Sequence, residues 1–479
     1  MSINPLFLYN CLTSVYLLCQ AVFFVHQGKM FPIDQSVFSY LRQNRDMLFA
    51  YFSLGFLLQL PVTVMRFFLV DRMELGSAML AQCAAIVAFP WAIKPGTAFL
   101  SDNFLSKCIP RNRQVAAAYG FAGLCWLAFL FLPDGSTDSL YLVLFYGFLS
   151  SFFMSLADVC QDGLMVRRIH ADSSNGNGRL QSFVLASRAF GSLLGSFLSG
   201  GLALLLRPFL FIALLHIVGI LSGLQLKTLT GQHEDRSRSS SSGGSSRDGG
   251  GSSRDGGGSS RDGGRRRVHG NTCRESCSEF CKALCWDERL LFVGVLFLLA
   301  MPLSDFAILQ YWFQKTKGVQ PFSFAFADAL AYIAMILGSL TFNAYFRKTD
   351  WRVVVMLSQC VSFVFIATNM LLVNDYLTIQ PESYLFVRAG IASFFGHIGF
   401  MPLAVKAADL VPEGFESTFY SLYMSNLNFG AVVSEELSGL TTKVLGIDTS
   451  TNNSVYFYFF VIVSNLISLF VFHQVYKND

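Results

Sequence analysis

The chain has 479 residues, of which 53% are hydrophobic, 15% aromatic and only 14% charged, and its formal net charge is +4. A soluble chain carries roughly 25% charged residues, and much of the charge here is concentrated in residues 226–289. A soluble protein of this length would need more polar residues to cover its surface, so the composition predicts a polytopic membrane protein. The small net charge, without a basic stripe, excludes a nucleic-acid-binding protein.

Twelve runs are apolar and long enough to span a bilayer, which takes about 20 residues. The predicted spans are 49–70, 77–99, 115–133, 138–158, 181–203, 206–225, 290–312, 322–345, 353–373, 384–408, 417–440 and 455–474. Six of them precede and six follow the polar stretch 226–289. A thirteenth apolar run, at residues 6–25, lacks the basic residues that open a secretory signal. It is compatible with an extra helix, an interfacial helix or a cleaved leader.

This layout predicts an all-α membrane protein in four parts. They are an N-terminal segment 1–48, a six-helix half 49–225, a flexible linker 226–289 and a second six-helix half 290–479. Two such halves are typical of secondary transporters, whose solute site lies near the membrane midplane between them. We therefore expect the lipid bilayer and a small solute as partners. We predict a monomer, no cofactor and no metal.

Basic residues in the short connections indicate the orientation of the spans. The connections after the second, fourth and eighth spans are rich in Lys and Arg, and the alternate connections are poorer. The even-numbered connections and the central linker are therefore predicted to be cytoplasmic. A glycosylation sequon, Asn452-Asn453-Ser454, lies on the side predicted to be exterior.

The central linker repeats the sequence SSRDGGG, beginning at Ser245, Ser252 and, in shortened form, Ser259. Gly/Ser repeats with alternating charge form flexible coil, so the linker is predicted to tether the two halves. Cysteines then recur every four residues, at positions that would form a stripe on a helix. They are Cys273, Cys277, Cys281 and Cys285. Reversible S-acylation, metal binding and an inert, partly buried face all remain open for them.

Charged residues inside the apolar spans are costly, at about 2.5–3.5 kcal/mol each on insertion scales, so they face a cavity or a partner. Asp158 and Asp162 are four residues apart and share one helix face. Two close carboxylates raise each other's proton affinity, which suits a proton relay. The alternative is a cytoplasmic gate in which they pair with Arg167 or Arg188.

Four further charged or titratable residues lie in the spans, and three of them have two interpretations each. Lys94 lies in a span interrupted by Pro90, Pro95 and Gly96, and it either holds an anionic solute group or extends to the membrane interface. Arg188, beside the close-packing residues Gly191 and Gly195, either contacts solute or forms a buried ion pair. Asp305 could accept paired N–H donors from a heterocycle such as a pterin. His397 is either a packing residue or a proton carrier.

Four stretches of the chain resemble the folate–biopterin transporter family of the major facilitator superfamily. They are Pro90-Trp91-x-x-Lys94-Pro95 running to Ser101-Asp102; Ala157-Asp158-Val159-Cys160-Gln161-Asp162; Ser187-Arg188-x-x-Gly191; and Pro412-Glu413-Gly414-Phe415-Glu416-Ser417-Thr418 running to Asn428. Each stretch by itself matches the family only loosely. Four of them in order, each at the corresponding helix, form a specific signal over roughly residues 49–475. Arg388 departs from the family pattern, which has an uncharged or acidic residue there.

The resemblance implies a twelve-helix major-facilitator fold that carries folates or pterins by alternating access, coupled to protons. It places Lys94, Asp102, Asp158, Asp162, Arg188 and Asp305 at positions characteristic of the family. We expect solute contacts at Lys94, Arg188, Asp305 and Arg388. We expect Asp158, Asp162, Asp102 and His397 to couple protons or act as gates. The N-terminus lacks a transit-peptide character, so we expect the plasma membrane.

Three rival functions make different demands on the sequence. Some family members look like carriers of S-adenosylmethionine, which would use the acidic residues for binding and leave Lys94 and Arg188 in ion pairs. A membrane enzyme is disfavoured because no His/Asp or His/Glu catalytic pattern is evident among the seven histidines. A receptor or scaffold is disfavoured by the layout of six and six spans.

Overall fold

The computed structural model describes residues 35–101, 105, 108–132, 137–171, 179–227, 287–346, 348–411, 416–447 and 454–475. Within these residues the secondary structure is helical, without a strand. Several predictions concern residues outside the described ranges: the apolar run 6–25, Asp102, the SSRDGGG repeat and the four regularly spaced cysteines.

We call the helices up to Gln225 the first half and those from Asp287 the second half. The first half contains α1 (Gln35–Gln43), α2 (Arg45–Phe67), α3 (Ser77–Ala92), α4 (Lys94–Leu100), α5 (Arg111–Ala128), α6 (Thr137–Ala171), α7 (Arg179–Leu202) and α8 (Pro208–Gln225). A π-helical turn, Phe68–Arg72, extends α2.

The second half contains α9 (Asp287–Ala300), α10 (Phe306–Tyr311), α11 (Pro321–Thr341), α12 (Trp351–Val373), α13 (Pro381–Asp409), α14 (Glu416–Val444) and α15 (Ser454–Val475). π-Helical turns, Trp312–Thr316 and Phe342–Phe346, extend α10 and α11. Each half has buried apolar cores of its own, formed for example by Met47, Trp126 and Ile212 in the first and by Phe313 and Tyr458 in the second.

Helices occupy all twelve predicted spans. In the described part of the chain, nine helices are long and apolar enough to cross a membrane, or ten if the bent pair α3 and α4 is one span. The other two predicted spans are a helix interrupted after Ala300 and the more polar α14, which contains Glu435 and Glu436. Helix α6 extends to Ala171 rather than ending at residue 158 as predicted, so Asp158 and Asp162 lie inside it.

The predicted interruption near Lys94 is a bend of 41° between α3 and α4. It follows from Pro95, which lacks an N–H, at the start of α4. Neighbouring helices bond to carbonyl groups before the bend. Ser155 on α6 donates its hydroxyl to the Pro90 carbonyl at 3.3 Å, and Asn428 on α14 donates its amide to the Trp91 carbonyl at 3.2 Å. Such bonds make a break tolerable inside a membrane.

A second interruption separates α9 from α10 around Pro302. Serines of two neighbouring helices satisfy its backbone groups. The Leu303 N–H donates to the Ser464 hydroxyl at 3.1 Å and the Ser304 N–H to the Ser438 hydroxyl at 2.8 Å. The Ser434 hydroxyl donates to the Pro302 carbonyl at 2.5 Å. Asp305, the residue before α10, is thereby held at the end of an irregular segment inside the bundle.

Glycines allow helices to approach closely at three places. Within the first half, α7 packs against α2, where a Cβ at Gly191 would come within 2.0 Å of the Phe52 carbonyl oxygen. Between the halves, α14 packs against α3 through Gly439, and α7 packs against α11 through Gly200. The close-packing face predicted for Gly191 and Gly195 is therefore present, and it carries Arg188 on the same helix.

Candidate functional site

Three predicted residues meet at one carboxylate. Lys94 begins α4, Asp158 lies in the middle of α6, and Arg188 lies on α7. The ammonium group of Lys94 donates a hydrogen bond to Asp158 Oδ2, and Arg188 Nη1 donates to Asp158 Oδ1 at 3.0 Å. The bend before Lys94 and the glycine packing of α7 bring these side chains together. We call these three residues the cationic triad.

The cationic triad contains one more positive than negative charge. The Asp158 side chain is only 1% exposed, whereas Arg188 keeps 30% of its side-chain surface accessible. Lys94 also lies over the Trp91 ring, 4.9 Å from the ring centroid, which is a favourable position for a cation. One carboxylate cannot neutralise two cations, so the triad by itself keeps a net positive charge, part of which lies on the accessible surface of Arg188.

Asp162 lies one turn beyond Asp158 on α6 and has a different partner. The buried Tyr51 hydroxyl on α2 donates to Asp162 Oδ1 at 2.6 Å. Beside it, the Gln161 amide donates to the Tyr119 hydroxyl at 2.7 Å. The two carboxylates predicted to share a face are therefore both inside the bundle, one between cations and one bound to a phenol.

A second group of polar residues joins the two halves. Gln59 on α2 donates its amide to the Tyr332 hydroxyl on α11, and Arg66 Nη1 lies 3.6 Å from Asp328 Oδ2. Tyr332 is within electrostatic range of both Asp328 and Arg188. This group, which we call the bridging group, extends the polar surface from the cationic triad across the interface between the halves.

Sequence reasoning missed most of the bridging group. Arg66 lies inside the predicted span 49–70, so the rule that a charge within a span needs a partner would have identified it. Asp328 lies inside the predicted span 322–345, where the same rule applies to it. Gln59 and Tyr332 are polar residues of ordinary type, and only the packing of α2 against α11 reveals them.

Asp305 and Arg388 lie together in the second half. The Asn369 amide donates to Asp305 Oδ2 at 2.6 Å, and the Tyr384 hydroxyl donates to Asn369 Oδ1 at 2.5 Å. Arg388 Nη2 is 3.9 Å from Asp305 Oδ1. The Asp305 residue is 7% exposed, so these contacts already occupy much of its carboxylate.

His397 lies apart from the other predicted residues. Its ring centroid is 5.6 Å from that of Phe400 on the same helix, α13. A Cβ at Gly338 on α11 would be 3.4 Å from the His397 Cβ, so the histidine packs against that helix. Asp102 lies outside the described residues.

The halves also touch near the ends of helices predicted to be exterior. Lys315 Nζ, after α10, lies 3.1 Å from Asp71 Oδ1, at the end of α2. The Ser77 hydroxyl on α3 donates to the Ile447 carbonyl, beyond α14, at 3.4 Å. An apolar cluster beside them contains Val70, Leu80, Ala81 and Ala307. These contacts hold the exterior ends of the two halves together.

Two helical halves, an interrupted helix in each and a polar interface between them define a fold of the major-facilitator type. Solved structures agree on the fold. The nucleoside transporter NupG matches with a TM-score of 0.63 at 11% identity, covering 91% of this chain and 99% of that one. A bacterial homologue of the iron transporter ferroportin matches with a TM-score of 0.53 at 17% identity, covering 91% and 98%.

The chain belongs to the BT1 family, whose model matches residues 54–476. A folate-biopterin transporter of Synechocystis sp. is 24% identical over 438 residues, which cover 88% of this chain and 78% of the relative. Folate transporter 1 of Plasmodium falciparum is 24% identical over 409 residues, covering 84% and 74%. These matches confirm the resemblance to folate–biopterin transporters and make the chain a multi-pass membrane protein of a transporter family.

Proposed function

We propose that the protein is a secondary transporter that carries folate- or pteridine-type solutes by alternating access. The observation that carries the proposal is the accessible guanidinium of Arg188, held beside Lys94 over a single carboxylate. A folate side chain ends in carboxylates, and a partly neutralised pair of cations suits them. The names of the two relatives described above support the same class of solute.

The proposed roles follow the two polar groups. Lys94 and Arg188 bind the anionic end of the solute. Asp305 and Arg388 are proposed as further solute contacts. They become available when their ion pair opens, in which Arg388 Nη2 lies 3.9 Å from Asp305 Oδ1. The contacts at the exterior ends of the halves support an assignment of this conformation as closed to the outside. The central linker is proposed to tether the halves.

Uptake into proteoliposomes tests the solute class. Radiolabelled folate, biopterin and S-adenosylmethionine are offered to the purified wild type, to Arg188→Ala and to Arg207→Ala. Arg207 is an exposed arginine outside the polar interface and serves as the matched control.

We expect folate uptake by the wild type and the control. Arg188→Ala should lower it about 10- to 100-fold, because a hydrogen bond to a charged group contributes about 1.5–3 kcal/mol. Uptake of S-adenosylmethionine alone would contradict the pteridine proposal and favour the rival substrate. Normal folate uptake by Arg188→Ala would contradict the role of Arg188.

We further propose that transport is coupled to protons through Asp162 and Asp158, with Asp102 and His397 as additional coupling or gating groups. Asp162 supports this proposal because it lies beside the cationic triad and is bound by Tyr51 rather than by a cation. A carboxyl that alternates between protonated and ionised forms suits such a position.

The test compares Asp162→Asn with the exposed control Glu74→Gln. Asp162→Asn should abolish the stimulation of folate uptake by an inward proton gradient. It should not change the rate of folate exchange at equal pH, because that exchange needs no net proton movement. A variant that still responds to the gradient would show that Asp162 does not couple protons.

The proposed location is the plasma membrane, and the proposed state is a monomer. Fluorescence of a tagged protein in its own cells tests the first, and the mass of the purified protein in detergent tests the second. An organellar pattern or a stable dimer would contradict them.

A further inference from the structure

Asp328 is an internal carboxylate with accessible surface. It lies on α11 deep in the bundle, and yet 29% of its side-chain surface is accessible. Arg188 also lies deep in the bundle, and 30% of its side-chain surface is accessible. Accessible surface on enclosed side chains indicates an internal cavity, and Tyr332, which is within electrostatic range of both residues, connects the two places. Asp328 and Arg188 therefore face one polar space between the halves.

The ion pair with Arg66 leaves Asp328 with unused acceptor capacity. Their closest approach, 3.6 Å, exceeds the range of a hydrogen bond. Arg66 is held in place by aromatic rings, with its guanidinium 4.8 Å from the Phe324 centroid and 5.9 Å from that of Phe306. Arg66 thus lowers the cost of the buried negative charge without saturating the carboxylate oxygens.

The arrangement separates a cationic end from an acceptor end. Tyr332 is one helix turn from Asp328 on α11, a rise of about 6 Å, and it is within electrostatic range of Arg188. A solute that fits has an anionic group at one end and an edge with paired N–H donors at the other. Asp305 is less suited to that edge in this conformation, because it is 7% exposed and already bound by Asn369.

We propose that Asp328 determines specificity by accepting the N3–H and 2-amino hydrogens of a pteridine ring whose anionic side chain lies at Arg188. This inference rests on the proposed function, since it names the residue that binds the ring of that solute. A carboxylate with two free lone-pair directions matches two parallel N–H donors. Arg66 acts as a positioning residue whose guanidinium lies beside the carboxylate.

The test measures competition against radiolabelled folate uptake by two unlabelled probes, pterin and pteridin-4-one. The second probe lacks the 2-amino group. The wild type should prefer pterin about tenfold or more, the contribution of one charge-assisted hydrogen bond. Asp328→Asn should bring the ratio close to one, because the amide keeps one acceptor for N3–H and offers a donor where the 2-amino group needs an acceptor.

Arg66→Lys is the matched control. It removes the guanidinium but keeps both the carboxylate and a cation near it, so it should retain the preference for pterin even if total uptake falls. An Asp328→Asn protein that keeps the preference would overturn the proposal. So would an Arg66→Lys protein that loses the preference as completely as Asp328→Asn, because the two residues would then act only as a structural link between the halves.

A measurement on the wild type covers the case in which Asp328→Asn does not reach the membrane. At mildly acidic pH a hydrophobic carbodiimide labels accessible carboxyl groups in their protonated form, and peptide mass spectrometry quantifies the label on Asp328. Pterin should slow this labelling several-fold, and p-aminobenzoylglutamate, which lacks the ring, should not. Equal labelling with and without pterin would overturn the assignment. A wild type that shows no competition by any pteridine would instead reject the proposed function.

Discussion

Asp158 holds two cations inside the membrane. Its side chain is 1% exposed and contacts Lys94 through one oxygen and Arg188 through the other. Removing one partner of a buried ion pair is costly because the remaining charge is left without compensation. Here the loss of one carboxylate would leave two cations facing each other, so this residue is important for stability.

We therefore expect Asp158→Asn to be strongly destabilised, by about 3–5 kcal/mol. The measurement is the thermal unfolding midpoint of the purified protein in detergent, with and without the second substitution Lys94→Met. Removing one of the two cations should recover part of the loss. The control is Asp375→Asn, an exposed carboxylate paired with Lys317, which should unfold like the wild type. Equal midpoints for Asp158→Asn and the control would contradict the argument.

Helix α7 positions Arg188 through its contact with α2. The contact depends on the absence of side chains at Gly191 and at Gly55, where a Cβ would come within 2.0 Å of the Arg188 carbonyl oxygen. Neither obstacle is the end of a flexible side chain, so the helices themselves would have to separate. A shift of α7 would also move Arg188 away from Asp158.

We expect Gly191→Ala to lower stability by about 1–3 kcal/mol, as overpacking does, and to reduce folate uptake more than tenfold. Gly201→Ala is the matched control on the same helix, because a Cβ there meets nothing within 4 Å. The measurements are the unfolding midpoints and the folate uptake rates of the two variants. If both glycines tolerate alanine equally, close helix packing does not position Arg188.

In the whole molecule, contacts join the two halves at the side predicted to be exterior. In the described part of the chain these include the ion pair of Lys315 with Asp71 and the apolar cluster around Val70 and Ala307. Both members of the ion pair are partly exposed, so the pair contributes about 0–1 kcal/mol. Even so small an energy can shift a balance between two conformations several-fold.

We expect Lys315→Asp, which places two carboxylates together, to shift the population toward an open exterior. Spin labels on the exterior ends of α2 and α10 would report a larger fraction of long distances. The double reversal Lys315→Asp with Asp71→Lys should restore the wild-type distribution. A double variant that resembles the single variant would show that the effect does not arise from this pair.

Much of the fold follows from hydropathy alone. Twelve apolar runs predicted twelve helical segments, and the two prolines around Lys94 predicted the interruption between α3 and α4. The length of α6 did not follow, because the stretch after Asp158 is too polar to be recognised as a span. Its polar residues pair inside the bundle, which hydropathy does not register.

The candidate site was predictable in composition but not in pairing. A charge within a span indicated Lys94, Asp158 and Arg188 separately, and Asp158 with Arg188 remained one alternative among several. Which charges meet depends on how each helix is rotated about its axis, and that rotation is determined by contacts such as those of Gly191 with Phe52. The bridging group needed the packing of α2 against α11 as well.

The hydrogen bond from Asn428 to the Trp91 carbonyl has a mechanical consequence. It ties the bend in the first half to a helix of the second half, three residues before Lys94. If α14 tilts relative to α3, the bond transmits that tilt to the bend and changes the reach of the Lys94 ammonium group. Motion of the second half would then lengthen or shorten the ion pair between Lys94 and Asp158 in the first half.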